Sequence, residues 1–279
     1  MAFFFFLIPI GIGRQIASLF GDAAFFILAK YRRRTIKNLK ESLPDKTDKE
    51  IKGIARKVFR NLCKNAVELV NFPRMNEENL SSSVEFKNLD IIDKALVNGK
   101  GVIIITAHFG NWELLAISMR LKGYAGSVIG RRIYFHKYDR YLNDLRRTGD
   151  VNIIYRDESP KKILKALKDN KIIGILADQD VDSVEGVFVD FFGRKAYTPA
   201  GPAVLARVSG AALIPVFMVR KNGRHTLFVE KPIEIADTGD KDKDVVTNTE
   251  RWTSVVESYI RRYPEQWVWM HERWKTSKV

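Results

Sequence analysis

The 279-residue chain has one cysteine, Cys63, and only four histidines, His108, His136, His225 and His271. A lone thiol cannot form an intrachain disulfide, a redox pair or a cysteine-rich metal site. The scattered histidines make no His-Glu-x-x-His signature, so no metal is expected. The sequence also lacks a Gly-x-Ser-x-Gly elbow and a Walker A loop, which sets aside serine-hydrolase and nucleotide-hydrolysis chemistry. Gly11-x-Gly13 has neither the third glycine nor the preceding strand of a dinucleotide fingerprint, and no cofactor is expected. Repeats and low-complexity linkers are missing. Acidic residues are scarce: 33 Asp and Glu face 47 Lys and Arg, a net charge of +14. The partner or surface is therefore anionic, which admits nucleic acid, acidic lipid headgroups or an acidic carrier protein. With 46% apolar residues, the length suffices for one substantial core.

No long hydrophobic run is free of charge. Met1 to Gly13 is uncharged and rich in Phe, but Arg14 and then Asp22 interrupt the apolar stretch beyond it. A charge near a bilayer centre costs roughly 2.5–3.5 kcal/mol on insertion scales, which disfavours one straight span over residues 2 to 29. A removable signal peptide is excluded by the missing basic n-region and cleavage site. The expectation is a retained segment that dips into or lies on one leaflet, with Lys30, Arg32, Arg33, Arg34, Lys37 and Lys40 immediately after it. Such cations contribute about 1 kcal/mol each near an anionic surface. Residues 1–40 are thus read as a membrane-associated segment and 41–279 as one α/β domain. A buried N-terminal core helix is the competing reading.

What is present centres on Gly101 to Leu115, GVIIITAHFGNWELL. Four β-branched residues, Val102 to Ile105, predict a strand buried on both faces, as in a parallel sheet. His108 falls just past its end. Asn111 is a good N-cap for a helix beginning at Trp112, which places Glu113 in the first turn, where the helix dipole favours a carboxylate. On one continuous helix, His108 and Glu113 would lie roughly 140° apart. A loop hinged at Gly110 instead lets the chain fold back, so that Glu113 orients one imidazole nitrogen while the other faces a pocket. That arrangement is a general base without a protein nucleophile. It suits a substrate hydroxyl attacking an activated acyl group. A histidine that merely packs is the bland alternative.

The rest of the chain supports the same architecture. Asp48 to Val70 has a 3.6-residue apolar period and reads as an amphipathic helix. Strands are expected at Ser127 to Gly130, Asn152 to Tyr155, Ile172 to Ala177, Leu213 to Val219 and Thr226 to Val229. Helices are expected at Tyr138 to Arg147, Pro160 to Lys168, Pro199 to Val208 and Trp252 to Arg262. The alternation predicts an α/β fold with a largely parallel central sheet flanked by helices. Arg131 and Arg132, after a strand, are a phosphate clamp or a solvated loop, since guanidinium forks match phosphate oxygens. Asp178 and Gln179 are polar groups at another strand's carboxyl end. The C-terminal Trp267, Trp269 and Trp274, mixed with Arg273 and Lys275, suit a membrane interface or a tail that closes the core.

His108-Phe109-Gly110-Asn111-Trp112-Glu113 resembles the His-x4-Asp/Glu block of the lysophospholipid acyltransferase superfamily, and more narrowly the late acyltransferases of lipid A biosynthesis. The resemblance runs over most of the chain. It implies transfer of a fatty acyl chain from acyl carrier protein to a hydroxyl of an anionic, phosphorylated glycolipid, at the cytoplasmic face of the inner membrane. His108 and Glu113 would be catalytic. Asn111, Arg131, Arg132, Asp178, Gln179, Arg194 and Thr198 would bind substrate. The Phe-Pro-Glu-Gly motif of glycerolipid members is absent around Arg194 to Thr198, which argues against glycerol phosphate as acceptor. Alternatives are an acyl-CoA-dependent transferase on another glycolipid or lysophospholipid, or a non-enzymatic basic protein binding membrane or nucleic acid. Nucleic acid is disfavoured because no RNP-like aromatic strand or zinc finger is present.

Overall fold

The computed structural model describes residues 6–132, 136–158 and 160–276, so Phe3 to Phe5 of the phenylalanine run lie outside the described residues. Helices α1 (Ile10–Ile27), α2 (Ala29–Ser42), α3 (Asp48–Val70) and α4 (Glu77–Ser83) precede strand β1 (Val84–Lys87) and α5 (Asp90–Val97). Next come β2 (Val102–Thr106), α6 (Trp112–Leu121), β3 (Gly126–Gly130), α7 (His136–Thr148), β4 (Asn152–Tyr155), α8 (Pro160–Lys168) and β5 (Ile172–Leu176). The chain closes with β6 (Gly186–Phe191), β7 (Arg194–Pro199), α9 (Gly201–Ser209), β8 (Ala212–Lys221), β9 (Arg224–Val229) and α10 (Lys241–Arg262).

Seven strands form one sheet in the order β1-β9-β8-β2-β5-β3-β4. Every neighbouring pair is parallel except β8 with β9. The expected parallel α/β fold is what the chain adopts. Strand β2 lies at its centre, and its side chains alternate between two cores. Ile103 and Ile105 join Leu39, Phe59, Trp252 and Trp267 on one face. Val102 and Ile104 join Ile92, Leu115 and Ile117 on the other. Both-sided burial explains the unbroken β-branched run, each residue contributing about 1.5–3 kcal/mol when fully buried.

One segment differs from the sequence reading, and one alternative that it left open is decided. Phe188 to Thr198 folds as a separate antiparallel hairpin of β6 and β7, turning on Phe192 and Gly193, both at positive φ. The aromatic-basic composition hid the strand alternation. The C-terminal tryptophans mostly close the core: Trp267 and Trp269 are buried.

Helix α1 is apolar and long enough, by length and composition, to cross a membrane. Its buried residues Gly13, Ala17, Gly21 and Phe25 recur every four positions, giving a stripe of mostly small residues against α3. A Cβ at Gly21 would sit 2.5 Å from the Arg60 Cα, so only glycine permits this close crossing. The two charges within the apolar stretch turn inward: Arg14 pairs with Glu68, and Asp22 with Arg56 and Arg60. The opposite face leaves Leu19, Phe26 and Ile27 exposed by 70%, 61% and 76%.

Candidate active site

The parallel register decides which side chains meet. Thr106 of β2 stands beside Leu176 of β5, so residues two further along, His108 and Asp178, emerge together at the carboxyl edge, where open α/β sheets bind ligands. Asp178 Oδ1 lies 2.8 Å from His108 Nδ1, and Asp178 Oδ2 accepts from the His108 backbone N–H at 3.0 Å and from Trp267 Nε1 at 2.8 Å. Burial alone would raise this carboxyl's pKa. The His108 ring and the converging N–H donors outweigh it and hold Asp178 at about 2. An ionised Asp178 keeps the proton on Nδ1 and leaves the Nε2 lone pair free, with no partner among the described residues. The ring also meets Trp112 edge-on, with centroids 5.2 Å apart.

The loop behind His108 is fixed from several sides. Gly110 has φ +58°, and a Cβ there would lie 1.6 Å from the Met218 carbonyl oxygen. Its N–H donates to the Gln266 carbonyl at 2.9 Å and its carbonyl accepts from Asn65 Nδ2 at 2.6 Å. Asn111 caps α6 as expected, its Oδ1 accepting from the Leu114 N–H at 3.0 Å. Its Nδ2 donates to Glu68 at 2.5 Å, so it anchors the loop rather than facing the cavity. Buried Glu68 also pairs with Arg220 at 2.7 Å and Arg14 at 2.7 Å. Burial opposes its charge, but Arg220 and His225 hold its pKa far below the usual carboxylate range.

Glu113 does not make the orienting contact expected of it. Helix α6 carries it away from Nδ1, and its carboxylate is gripped by Arg146 of α7, with Nε to Oε2 at 2.8 Å. Asp178 occupies the position by His108 instead, because strand register and not local spacing decides the neighbour. Glu113 and His108 still share a cavity of about 320 Å³, whose wall includes Trp112, Arg131, Arg146, Arg156 and Gln179. Trp112, Ala116, Val128 and Leu176 also line a narrow apolar slot continuing between β2, β3 and α6 to Met119 and Ile172.

Of the other expected residues, Arg131 borders this cavity with no carboxylate partner among the described residues. The Gln179 side-chain amide lies between two imidazoles, 2.9 Å from His108 Nδ1 and 2.7 Å from His271 Nε2; with the proton on His108 Nδ1, it is the amide oxygen that suits this position. Arg132 turns outward to Asp157 at 3.2 Å and lies over the Tyr155 ring. Arg194 and Thr198 lie on the β7 hairpin away from the cavity. Arg194 pairs with Glu41 and Ser42 of α2. Thr198 is buried and receives a hydrogen bond from Arg273.

The sequence reading missed Arg146, Arg156 and His271 as neighbours of His108. Burial, and next the His108 charge, pull His271 down to about 4, which keeps it neutral at physiological pH. It arrives from the far C-terminus, and no local pattern marks it. Among the described residues, no group of three His, Cys, Asp or Glu side chains converges as a metal site would.

An imidazole lone pair at the mouth of an arginine-walled cavity, with an apolar slot alongside, suits acyl transfer to an anionic acceptor. Comparison with known proteins agrees. Residues 1–276 match the family described as bacterial lipid A biosynthesis acyltransferase. The lipid A biosynthesis palmitoleoyltransferase of Escherichia coli K12 is 26% identical over 89% of this chain and 80% of its own. The lipid A biosynthesis myristoyltransferase of the same organism is 23% identical over 88% and 76%. A phosphatidylinositol mannoside acyltransferase of Mycobacterium tuberculosis is 27% identical over 74% and 66%. The chain belongs to the bacterial lipid A biosynthesis acyltransferase family and is an O-acyltransferase.

Proposed function

We propose that the enzyme moves a fatty acyl chain from the thioester of acyl carrier protein to a hydroxyl of a phosphorylated lipid A precursor. His108 Nε2 takes the hydroxyl proton as the oxygen attacks the thioester carbonyl. Asp178 steadies the imidazolium that forms. The tetrahedral intermediate then expels the thiolate, which recovers the proton from His108, leaving an ester and a free thiol. No acyl group is carried on the protein. The apolar slot beside Trp112 suits the hydrocarbon chain. Arg131 and Arg156 suit an anionic acceptor, and the Glu113–Arg146 pair fixes the wall opposite.

The observation that carries this reading is the Asp178-bound His108 with its second nitrogen unpartnered beside a cavity. Residues 1–40 are proposed to hold the enzyme at the cytoplasmic face of the inner membrane, with 41–279 as the catalytic domain. The exposed apolar face of α1 supports this anchoring, as does the basic stretch Lys30 to Lys40. The mannoside acyltransferase among the relatives supports a second acceptor class, another phosphorylated glycolipid. An assay of thioester consumption with each acceptor tests the proposal. Transfer that persists in His108→Ala would overturn the assignment of the base.

A further inference from the structure

A second concavity lies on the other side of the C-terminal segment that carries His271. It is a groove of about 600 Å³ between α2 and residues 272–275, lined by Arg33, Arg34, Lys37, Arg194, Arg273 and Lys275. The only carboxylates among its lining residues are Glu41 and Glu272, which pair with Arg194 and Arg34, while Lys275 pairs with Asp182. Arg33 has no partner among the described residues, and Lys37 reaches Glu41 only at 3.8 Å.

The floor of the groove is unusual for a merely solvated patch. Arg273 is 1% exposed, yet no carboxylate pairs with it within 4 Å. It donates only to the Tyr197 carbonyl at 2.6 Å and to the Thr198 hydroxyl. The Arg273 Nε, the Arg194 Nε and the Trp274 Nε1 are all buried N–H donors without an acceptor. Arg194 is stacked over the Trp274 ring at 3.6 Å, so these donors belong to one local assembly. A buried guanidinium without a contacting carboxylate is costly, and the nearby Asp178 and Asp180 offset that burial only in part. These nitrogens are closed off from the groove itself, so an anion in it would meet the exposed Arg33 and Lys37, with buried positive charge beneath them.

We infer that this groove binds a phosphate group of the acceptor glycolipid, holding the headgroup while its hydroxyl reaches His108 in the neighbouring cavity. The inference rests on the acyltransferase reading and deepens it. Helix α2 comes directly after the apolar helix α1, so the groove opens beside the segment proposed to meet the lipid. Arg33 and Lys37 form the exposed lip that meets the phosphate first. Arg273 supplies positive charge from beneath, Arg194 being paired with Glu41. A carrier protein would instead need about 800 Å² of contact surface, whereas a concave groove with positive charge on its lip suits a small, multiply charged group.

The test is the double charge reversal Arg33→Glu and Lys37→Glu in the full chain, assayed in non-ionic detergent micelles free of phospholipid. Both side chains are exposed and lie outside the His108 cavity. With a phosphorylated lipid A precursor, the acceptor KM is expected to rise roughly 10- to 100-fold, the scale of losing one or two charge-assisted contacts. The donor KM and kcat should hold, and a dephosphorylated precursor should show no such rise. An equal rise for the dephosphorylated acceptor would overturn the inference. So would a rise confined to the donor KM, which would mark a carrier-docking surface. Unchanged kinetics with reduced binding to anionic phospholipid vesicles would overturn it in favour of a general membrane contact.

A second readout does not depend on turnover. Inorganic pyrophosphate titrated into the full-length protein should change tryptophan fluorescence saturably through Trp274, and the reversed variant should lose that response. A wild-type protein showing no saturable response overturns the inference even if acyl transfer is observed. A wild type that binds pyrophosphate but transfers no acyl group would leave the groove standing and sink the acyltransferase reading.

Discussion

Two buried carboxylates flank the His108 loop, and their surroundings differ. In front, Asp178 accepts from His108 and Trp267. Behind, Glu68 joins Arg14, Arg220, His225 and Asn111. Both are nearly fully buried and both are held ionised. The difference lies in what each partner presents onward. Beyond Asp178 stands an imidazole whose other nitrogen borders a cavity, whereas the partners of Glu68 close on one another and on the loop backbone. Burial and a depressed pKa are thus shared by both carboxylates, and the open second nitrogen on its partner is what supports the role proposed for Asp178.

Breaking the front cluster should have the largest effect on rate. His108→Ala is expected to lose on the order of 10²–10⁴-fold or more in kcat, the usual contribution of a positioned base. Asp178→Asn should fall in the same range, because an amide no longer fixes the tautomer. Steady-state kinetics with thioester donor and saturating acceptor would check both, and wild-type kcat in Asp178→Asn would remove the distinction between the clusters.

Breaking the rear cluster should show chiefly as instability. Glu68→Gln leaves Arg220 and Arg14 without their carboxylate, which typically costs about 3–5 kcal/mol, and thermal unfolding should reveal it. The sign with pH comes from the depressed folded pKa. The carboxylate's stabilisation is present above the unfolded value near ~4 and is lost as pH falls through the lower folded value. The Tm gap between wild type and Glu68→Gln should therefore be wide at neutral pH and narrow steadily below about pH 4. A gap independent of pH would contradict the ionised state assigned to Glu68.

Glu113→Gln sharpens the comparison from a third side. It loosens Arg146 at the cavity wall while the His108–Asp178 pair stays intact, so its kcat loss should be substantial yet smaller than that of Asp178→Asn. A loss equal to that of His108→Ala would restore Glu113 to the role the sequence suggested. The smallest effect belongs to Arg132→Ala. Its partners are surface carboxylates, and exposed ion pairs typically contribute only about 0–1 kcal/mol. A marked fall in activity would return Arg132 to the substrate-binding set.

The sequence revealed what local chemistry dictates. The β-branched run of β2, the glycine at 110, the Asn111 cap and the 23-residue helix α3 all arise from short-range patterns, and all appear in the fold. The partner of His108 was not readable, because Asp178 is 70 residues away and meets it only through the register of β2 on β5. Asp178 and Gln179 stood out as polar groups at a strand end, without a hint of which residue they would touch. His271 is more distant still, brought in by a C-terminal segment whose tryptophans read equally as interface or core. Arg194 and Thr198 were placed by resemblance near the substrate; the β6–β7 hairpin carries Arg194 to a different groove and buries Thr198 against Arg273.

The central claim is that Asp178 holds His108 with its proton on Nδ1, leaving Nε2 as the base. Nitrogen-15 NMR of the His108 imidazole in the full-length enzyme, at a pH where the ring is neutral, tests this without relying on any substrate. The expected spectrum has a pyrrole-type, proton-bearing Nδ1 and a pyridine-type Nε2, with that assignment lost in Asp178→Asn. A neutral ring carrying its proton on Nε2 in the wild-type enzyme would contradict it.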